Sequence, residues 1–467
     1  MSLELLPYPE DFEQANATTT SPPAHWRTTR IKYLLREIDD RSPTGTEVLL
    51  SMRQTLGLVP HNDVSDKPIA ASALIGYKRV VPGDIVVNRM RASTGMVAAA
   101  PASGLVSPDY AVFRPIDDVD TAYLTLLFKS PAMQTAFRIE SKGLGTGSAG
   151  FLRLYSDRFA AITIPVPSRF EQGTIVAFVR SWDRRITRLI RAKRRQIELL
   201  NEQKQAIIHQ AVTRGLDPAV PLKPSGVDWL GDVPAHWDIR KLKFVAEEIV
   251  GGSTPSTGAP EYWDGDIVWV TPQDVSASAT LVDSKRHITQ RGLEACSSTL
   301  MPAGTIVVTS RAPVGNVAFA AIPLTTNQGC KAIIPERSRL DQRYAFRLLQ
   351  VLKPELQSLA KGTTFTEIST TQIANVKVPV PPVDEQRSLV AVIASETQLT
   401  DQSIGLAERE IDLIREYRTR LIADVVTGKL DVRGAELPEL DEAGDAAWDE
   451  TDDELGEGEI EDDDIDD

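Results

Sequence analysis

The sequence predicts a mixed α/β chain: two tandem globules of one kind, each running into a long helix. The two helices pair as an antiparallel coiled coil, giving a pseudo-twofold arrangement, and a disordered acidic tail follows. Three observations carry this prediction. Short segments recur in the same order after an offset of 211 to 221 residues. Apolar, β-rich runs bounded by Pro and Gly stand in both copies. Each copy then passes into some 40 residues with helical apolar spacing, and the two helical stretches carry opposite net charge.

The repeat opens with Pro23-Ala24-His25-Trp26, which returns as Pro234-Ala235-His236-Trp237. Gly83-Asp84-Ile85-Val86-Val87 returns as Gly304-Thr305-Ile306-Val307-Val308. Ile164-Pro165-Val166-Pro167 with Glu171-Gln172 returns as Val378-Pro379-Val380-Pro381 with Glu385-Gln386. Val212-Thr213 and Leu216-Asp217 return as Val426-Thr427 and Leu430-Asp431. The offset is 211 at the first pair, 221 at the second and 214 at the last two, so the shared pieces frame stretches of different length. A duplicated scaffold around dissimilar inserts implies one molecule that reads two different things at a fixed separation.

The 467 residues suffice for two ordinary domains and their connections. Met1 to Gln14 is acidic and lacks the apolar core of a signal peptide. No apolar run approaches the roughly 18 residues of a membrane helix. Cys296 and Cys330 are too few for a disulfide framework or a zinc cluster. These features predict a cytoplasmic protein with no membrane association. Residues 434–467 hold 18 Asp and Glu and no Lys or Arg; without them the net charge of −14 becomes +4 for residues 1–433. The mildly basic body removes the objection that an acidic chain binds nucleic acid poorly. The tail is read as disordered and solubilising; the competing reading is an internal DNA mimic that occupies a basic groove.

In chain order the expected parts are a leader (1–22), a first globule (23–168), a first spacer helix (169–217), a linker (218–233), a second globule (234–382), a second spacer helix (383–432) and the tail (433–467). Expected strands are Asp84 to Val87 and Tyr110 to Phe113 in the first globule. In the second they are Ile267 to Val270, Ile306 to Val308 and Lys331 to Ile334. Each globule closes on a Pro-x-Pro hinge. In the first helix Ile175, Val179, Trp182, Ile186, Leu189, Ile197, Leu200 and Ile207 follow the three-then-four spacing of a coiled-coil stripe, with Lys193 interrupting. In the second, Leu389, Ile393, Ile411, Ile414, Leu421 and Val425 take equivalent places, with Glu396, Thr400 and Ser403 weakening the middle. Residues 169–214 carry a net +7 and residues 383–428 a net −4, which favours pairing of the two over independent packing.

Enzyme signatures are missing. There is no Walker A sequence, no metal-binding His pair, no Gly-x-Ser-x-Gly elbow and no Asn-Pro-Pro-Tyr or Asp-Pro-Pro-Tyr. His25 and His236 precede Trp in a duplicated scaffold segment, which points to packing rather than general-base work. Glu171-Gln172 and Glu385-Gln386 open helices, where a carboxylate caps the chain and meets the dipole.

These residues match a known pattern. Ser225-Gly226-Val227-Asp228-Trp229-Leu230-Gly231 leads into Val233-Pro234-Ala235-His236-Trp237. Gly251-Gly252-Ser253-Thr254-Pro255, Tyr262-Trp263, Gly265-Asp266-Ile267 and Trp269-Val270-Thr271-Pro272 follow. Ser310 to Gly315, Asn327-Gln328-Gly329 and Gly362-Thr363-Thr364-Phe365 continue it, and Asn88 to Ala92 with Val106 to Tyr110 give another version in the first globule. From residue 23 to about 432 the chain resembles the specificity subunit of type I restriction–modification enzymes. The resemblance implies a non-catalytic subunit with two target-recognition domains, each reading one half of a split double-stranded DNA target. The helices, roughly 60 Å long at 1.5 Å per residue, would set the gap. It further implies two methyltransferase subunits as partners, to which nuclease and translocase subunits add. S-adenosylmethionine, ATP and Mg would belong to those partners, leaving this chain with no cofactor and no metal. The acidic tail departs from the family's usual ending. Two rivals are an enzyme acting alone and a DNA-binding protein outside restriction.

Candidate DNA contacts follow from residue type. Arg89 and Arg91 in the first globule and Arg311 in the second follow an apolar strand at what reads as an equivalent place, beside Asn88 and Ser310; phosphate contact is preferred to a strand-end salt bridge. Asn327 and Gln328 suit adenine edges or, equally, a turn before Gly329; Lys331 follows them. Lys361, Thr363 and Thr364 form a polar loop equivalent to Gly147-Ser148-Ala149, able to hold phosphate. Lys142 to Gly147, with Thr146, is Gly-rich but no P-loop, and reads either as a DNA-facing loop or as an ordinary turn.

Overall fold

The computed structural model describes Tyr8 and residues 22–144, 151–296, 298–360 and 367–435. Thr146, Lys361, Thr363, Thr364, most of the leader and the tail from Glu436 onward lie outside the described residues. The chain divides into two compact units, residues 1–192 with 410–467 and residues 193–409.

The first unit holds an antiparallel sheet in the order Leu35–Ile38, Tyr110–Pro115, Ile85–Asn88, Val97–Ala99. The second holds the same order, Ala246–Gly251, Cys330–Pro335, Ile306–Thr309, Val317–Ala320, with Thr280–Leu281 added in parallel at the edge. All five expected strands are present: four lie in these central sheets, where apolar β-branched runs are largely buried, and Ile267 to Val270 lies in a separate small sheet. The inserts differ. The first unit adds the hairpin of Leu50–Arg53 with Gly57–Pro60. The second adds a small sheet around Trp263–Val270. In the first unit the core behind the sheet includes a cluster of Phe113, Phe128, Phe137 and Phe159, with ring centroids 4.7 to 6.0 Å apart.

The Pro-x-Pro runs are not hinges. Thr163–Val166 pairs antiparallel with Arg27–Arg30, and Lys377–Val380 pairs with Asp238–Lys241, so each run closes its globule as a strand. Proline is tolerated because these ribbons have only two strands, so every strand has an edge without a partner.

Directly after each closing strand the Glu-Gln pair acts as a latch. Glu171 accepts from His25 Nε2 at 2.8 Å, from Trp26 Nε1 at 3.3 Å and from Ser168 Oγ at 3.0 Å. Glu385 accepts from His236 at 2.9 Å and from Trp237 Nε1 at 3.0 Å. Gln172 Oε1 accepts from the backbone N–H of Asp120, and Gln386 Oε1 from that of Asp341, both at 2.7 Å. Asp120 and Asp341 in turn N-cap the helices Thr121–Phe128 and Gln342–Val351. The duplicated Pro-Ala-His-Trp and Glu-Gln segments therefore recur because they fasten one to the other. Burial opposes ionisation of Glu171, but the hydrogen bonds from His25, Ser168 and Trp26 outweigh it and hold the carboxyl below its ordinary value. Its contribution to stability is present above the unfolded value of about 4.3 and is lost as pH falls through the folded one.

The end of each long helix docks beside such a latch. In the first unit Tyr123 Oη donates to the carbonyl of Val426, and Gly428, at φ +79°, lies against Pro23 and Trp26. In the second unit Tyr344 Oη donates to Val212, and Gly215, at φ +74°, lies against Trp237. A Cβ at Gly428 would fall 2.4 Å from Pro23 Cδ, whereas one at Gly215 would sit 3.3 Å from Trp237 Cζ2. Both substitutions meet the left-handed penalty of about 1–2 kcal/mol. Gly428→Ala adds a clash with a rigid ring and should lower the urea midpoint more than Gly215→Ala. The reverse order would contradict this packing.

The long helices are Arg169–Arg214 and Val383–Val426. Within the first unit Phe178, Val179, Trp182 and Ile186 face Leu421 and Ile422, and Arg418 Nε pairs with Asp183 at 2.6 Å. Within the second, Ile208, Ala211 and Val212 join Leu389 and Ile393 in one core, and Lys204 pairs with Asp401. Both sets run antiparallel. Ile411 and Leu421 are buried, and Ile414, Ile197, Leu200 and Trp182 are half-buried. Leu189 is not on the seam: it is 46 % exposed and Ile190, at 6 %, replaces it; likewise Ile208 rather than Ile207 is fully buried. A strict 3.5-residue repeat drifts by about 20° per heptad from a straight helix. The buried stripe here advances by the helical repeat of about 3.6, and so moves off the heptad positions. In the second helix the same drift buries Thr397 and exposes Glu396.

Candidate nucleic-acid interface

In both units the polar candidates gather where Ile85–Asn88 and Ile306–Thr309 end. Asn88 is buried, and its Oδ1 accepts from the N–H groups of Met90 and Arg91, fixing the turn that follows the strand. Arg89 Nε donates to the carbonyl of Asp109 at 2.5 Å and its Nη2 lies 4.0 Å from the Asp109 carboxylate. Burial and the nearby Arg153 both act against the Arg89 charge and lower its pKa. Arg91 is half-buried and Lys142 exposed, and neither head group has a partner among the described residues. Lys142 does not sit in a loop: Lys142–Leu144 is a strand paired with Phe151–Arg153, and only residues 145–150 of the Gly-rich stretch lie outside the described residues.

In the second unit Ser310 is fully buried. Arg311 Nε donates to Glu367 at 3.1 Å, and Lys331 Nζ lies 3.7 Å from the same carboxylate and 3.4 Å from the carbonyl of Gln328. Asn327 Oδ1 accepts from Gly329 N–H at 2.9 Å and so caps the turn before Gly329. Gln328 is exposed and accepts through Oε1 from Thr254 Oγ1. The loop bearing Thr254 is held by Trp269 Nε1 on Ser253 O at 3.0 Å and by Trp263 Nε1 on Ser256 O at 3.1 Å. It lies so close that a Cβ on Gly252 would fall 2.2 Å from the carbonyls of Thr326 and Asn327. An exposed guanidinium, Arg286, covers the Trp263 ring at 3.7 Å.

The two ends do not carry arginine at one shared position. Leu154 N–H donates to Arg89 O at 2.9 Å, and Ile368 N–H to Ser310 O at 3.0 Å. These equivalent bonds place Arg89 level with Ser310, Arg311 level with Met90, and Arg153 level with Glu367. Arg153, Thr254, Arg286 and Glu367 were not singled out from sequence. Only the 214-residue offset, which aligns Arg153 with Glu367, could have drawn attention to that pair.

Guanidinium, amide and hydroxyl groups on strand-end loops are suited to phosphate oxygens and base edges. Among the described residues no group of three or more His, Cys, Asp or Glu could hold a metal ion, and no helix is long and apolar enough to cross a membrane.

Comparison with known proteins bears on the family and the fold. The family described as type I restriction modification DNA specificity domain matches residues 76–199 and 234–408, well over half of the chain and once in each globule. The MjaIX type I restriction enzyme specificity subunit of Methanocaldococcus jannaschii is 39 % identical over 169 residues, covering 35 % of this chain and 39 % of that one. The chain thus spans about two fifths of that relative. A putative MjaX specificity subunit from the same organism is 23 % identical over 367 residues, covering 77 % of this chain and 81 % of its own. Among solved structures, a chain from work on complex assembly and conformational transition of the type I R-M system shares the fold. It superposes with a TM-score of 0.63 at 19 % identity, over 88 % of this chain and 100 % of that one. With its domain matched twice, the chain belongs to the type I restriction–modification DNA specificity family.

Proposed function

We propose that the chain is the sequence-reading subunit of a type I restriction–modification complex and performs no chemistry itself. Each unit reads one half of a bipartite double-stranded DNA target through the loops beyond its central sheet. The observation that carries this is the contrast within the repeat. Strand order, latch and helix docking are the same in both units, while the side chains at the strand ends differ. Shared parts cannot distinguish two half-sites, and the differing ends can. The two long helices fix the gap between the halves. The chain delivers two methyltransferase subunits to the site, and nuclease and translocase subunits join them; S-adenosylmethionine, ATP and Mg are used by those partners.

The purified chain with its methyltransferase should bind a duplex carrying both half-sites at least about 100-fold more tightly than one carrying either half, since each lost base pair costs about 1–3 kcal/mol. The chain alone should neither methylate nor cut DNA. Equal affinity for half-site duplexes, or catalysis by the chain alone, would overturn the reading.

A further inference from the structure

We infer that the first unit holds a DNA phosphate in a clamp centred on Arg153, and that among the described residues the matching level of the second unit, where Glu367 stands, has no such clamp. This rests on the DNA-reading function proposed above. Arg153 ends the strand Phe151–Arg153, and its Nη2 donates to Asp109 Oδ1 at 3.3 Å. The same carboxylate serves Arg89, so one acid stands between two guanidinium groups. The other acids whose charge reaches Arg89 are Glu37 and Asp39. Glu37 is engaged by Ser156 Oγ, and Asp39 by Arg41 and Lys78.

A second observation is that the Arg153 guanidinium is held only in part by the protein. Arg153 Nε is buried and has no hydrogen-bond partner. A guanidinium that lacks an acceptor for a buried donor, and shares its carboxylate, is incompletely satisfied. Arg91 and Lys142, on the adjoining turn and paired strand, add two cations without partners among the described residues. An anion with several acceptor oxygens suits the accessible part of the Arg153 side chain together with Arg91 and Lys142, and on duplex DNA that anion is a phosphate.

The second unit shows the opposite arrangement at the matching level. Glu367 stands where the first unit has Arg153, and it pairs with both Arg311 and Lys331. A carboxylate there repels phosphate and uses up the cations that would attract it. The second end presents Gln328 and Thr254 nearby, groups that read hydrogen bonds, with the exposed Arg286 set over Trp263 rather than beside Glu367.

The test measures equilibrium DNA binding of the full chain assembled with its methyltransferase across a salt series, on specific and on unrelated duplexes. Arg153→Ala should weaken both by about tenfold at ~0.1 M salt and make the log–log salt slope shallower by about one phosphate contact. Arg153→Lys, which keeps the charge, should retain the slope. Glu367→Ala, which frees two cations, should tighten binding to both duplexes. An unchanged slope in Arg153→Ala, a loss confined to one base position, or a slope lost equally in a stably folded Arg153→Lys would overturn the clamp and leave DNA reading intact. If the unaltered assembly shows no salt-dependent binding, the underlying functional reading fails instead.

Discussion

Trp237→Ala is expected to destabilise the second unit by about 3–5 kcal/mol, the range for emptying a large buried aromatic site. Trp237 is fully buried and joins the core formed by Ile208, Val212, Leu389 and Ile393. It also donates to Glu385, which then keeps only His236 among its side-chain donors. The indole lies against Gly215 as well, where the first long helix ends. One substitution thus opens a cavity, weakens the latch and loosens a helix end together. Trp26→Ala should do the same to the first unit, where Gly428 and Glu171 take the corresponding places. Urea unfolding of the full chain checks both. A loss below about 1 kcal/mol would mean that the duplicated Pro-Ala-His-Trp segment is peripheral.

The second large effect concerns the gap between half-sites. Four residues inserted into each long helix, between the ion-paired levels Asp183–Arg418 and Lys204–Asp401, lengthen it by about 6 Å. They add slightly more than one turn, so the buried stripe nearly keeps its phase. At about 3.4 Å per base pair, the preferred gap should grow by nearly two base pairs while each half-site stays the same. Binding selection from duplexes with randomised gap length would show the shift. An unchanged gap in a folded variant would remove the helices as the ruler.

Much of this fold was legible because duplicated parts repeat for a physical reason. The apolar runs around Val86 and Val307 read as strands, and the helical stripes and their opposite charges favoured a pair over independent packing. What was misread follows from local ambiguity. Proline in Ile164 to Pro167 suggested a break, and only the partner strand Arg27–Arg30 shows why it is tolerated. Leu189 fitted a heptad, but Ile190 is the residue buried in its place. The site was found by region rather than by residue. The offset of 221 at Gly83 and Gly304 sets Arg89 against Ser310, so pairing Arg89 with Arg311 was one residue out of register. Arg153 sits in an unremarkable Leu-Arg-Leu run, and nothing short of the fold places it beside Arg89 and Asp109.

The central claim is that this chain chooses the DNA sequence at which a methyltransferase acts. A single-molecule methylome of the source strain, with and without the gene, tests it most directly. The account predicts that a split motif with one fixed gap loses methylation when the gene is removed and regains it on complementation. A methylome unchanged by deletion would contradict it.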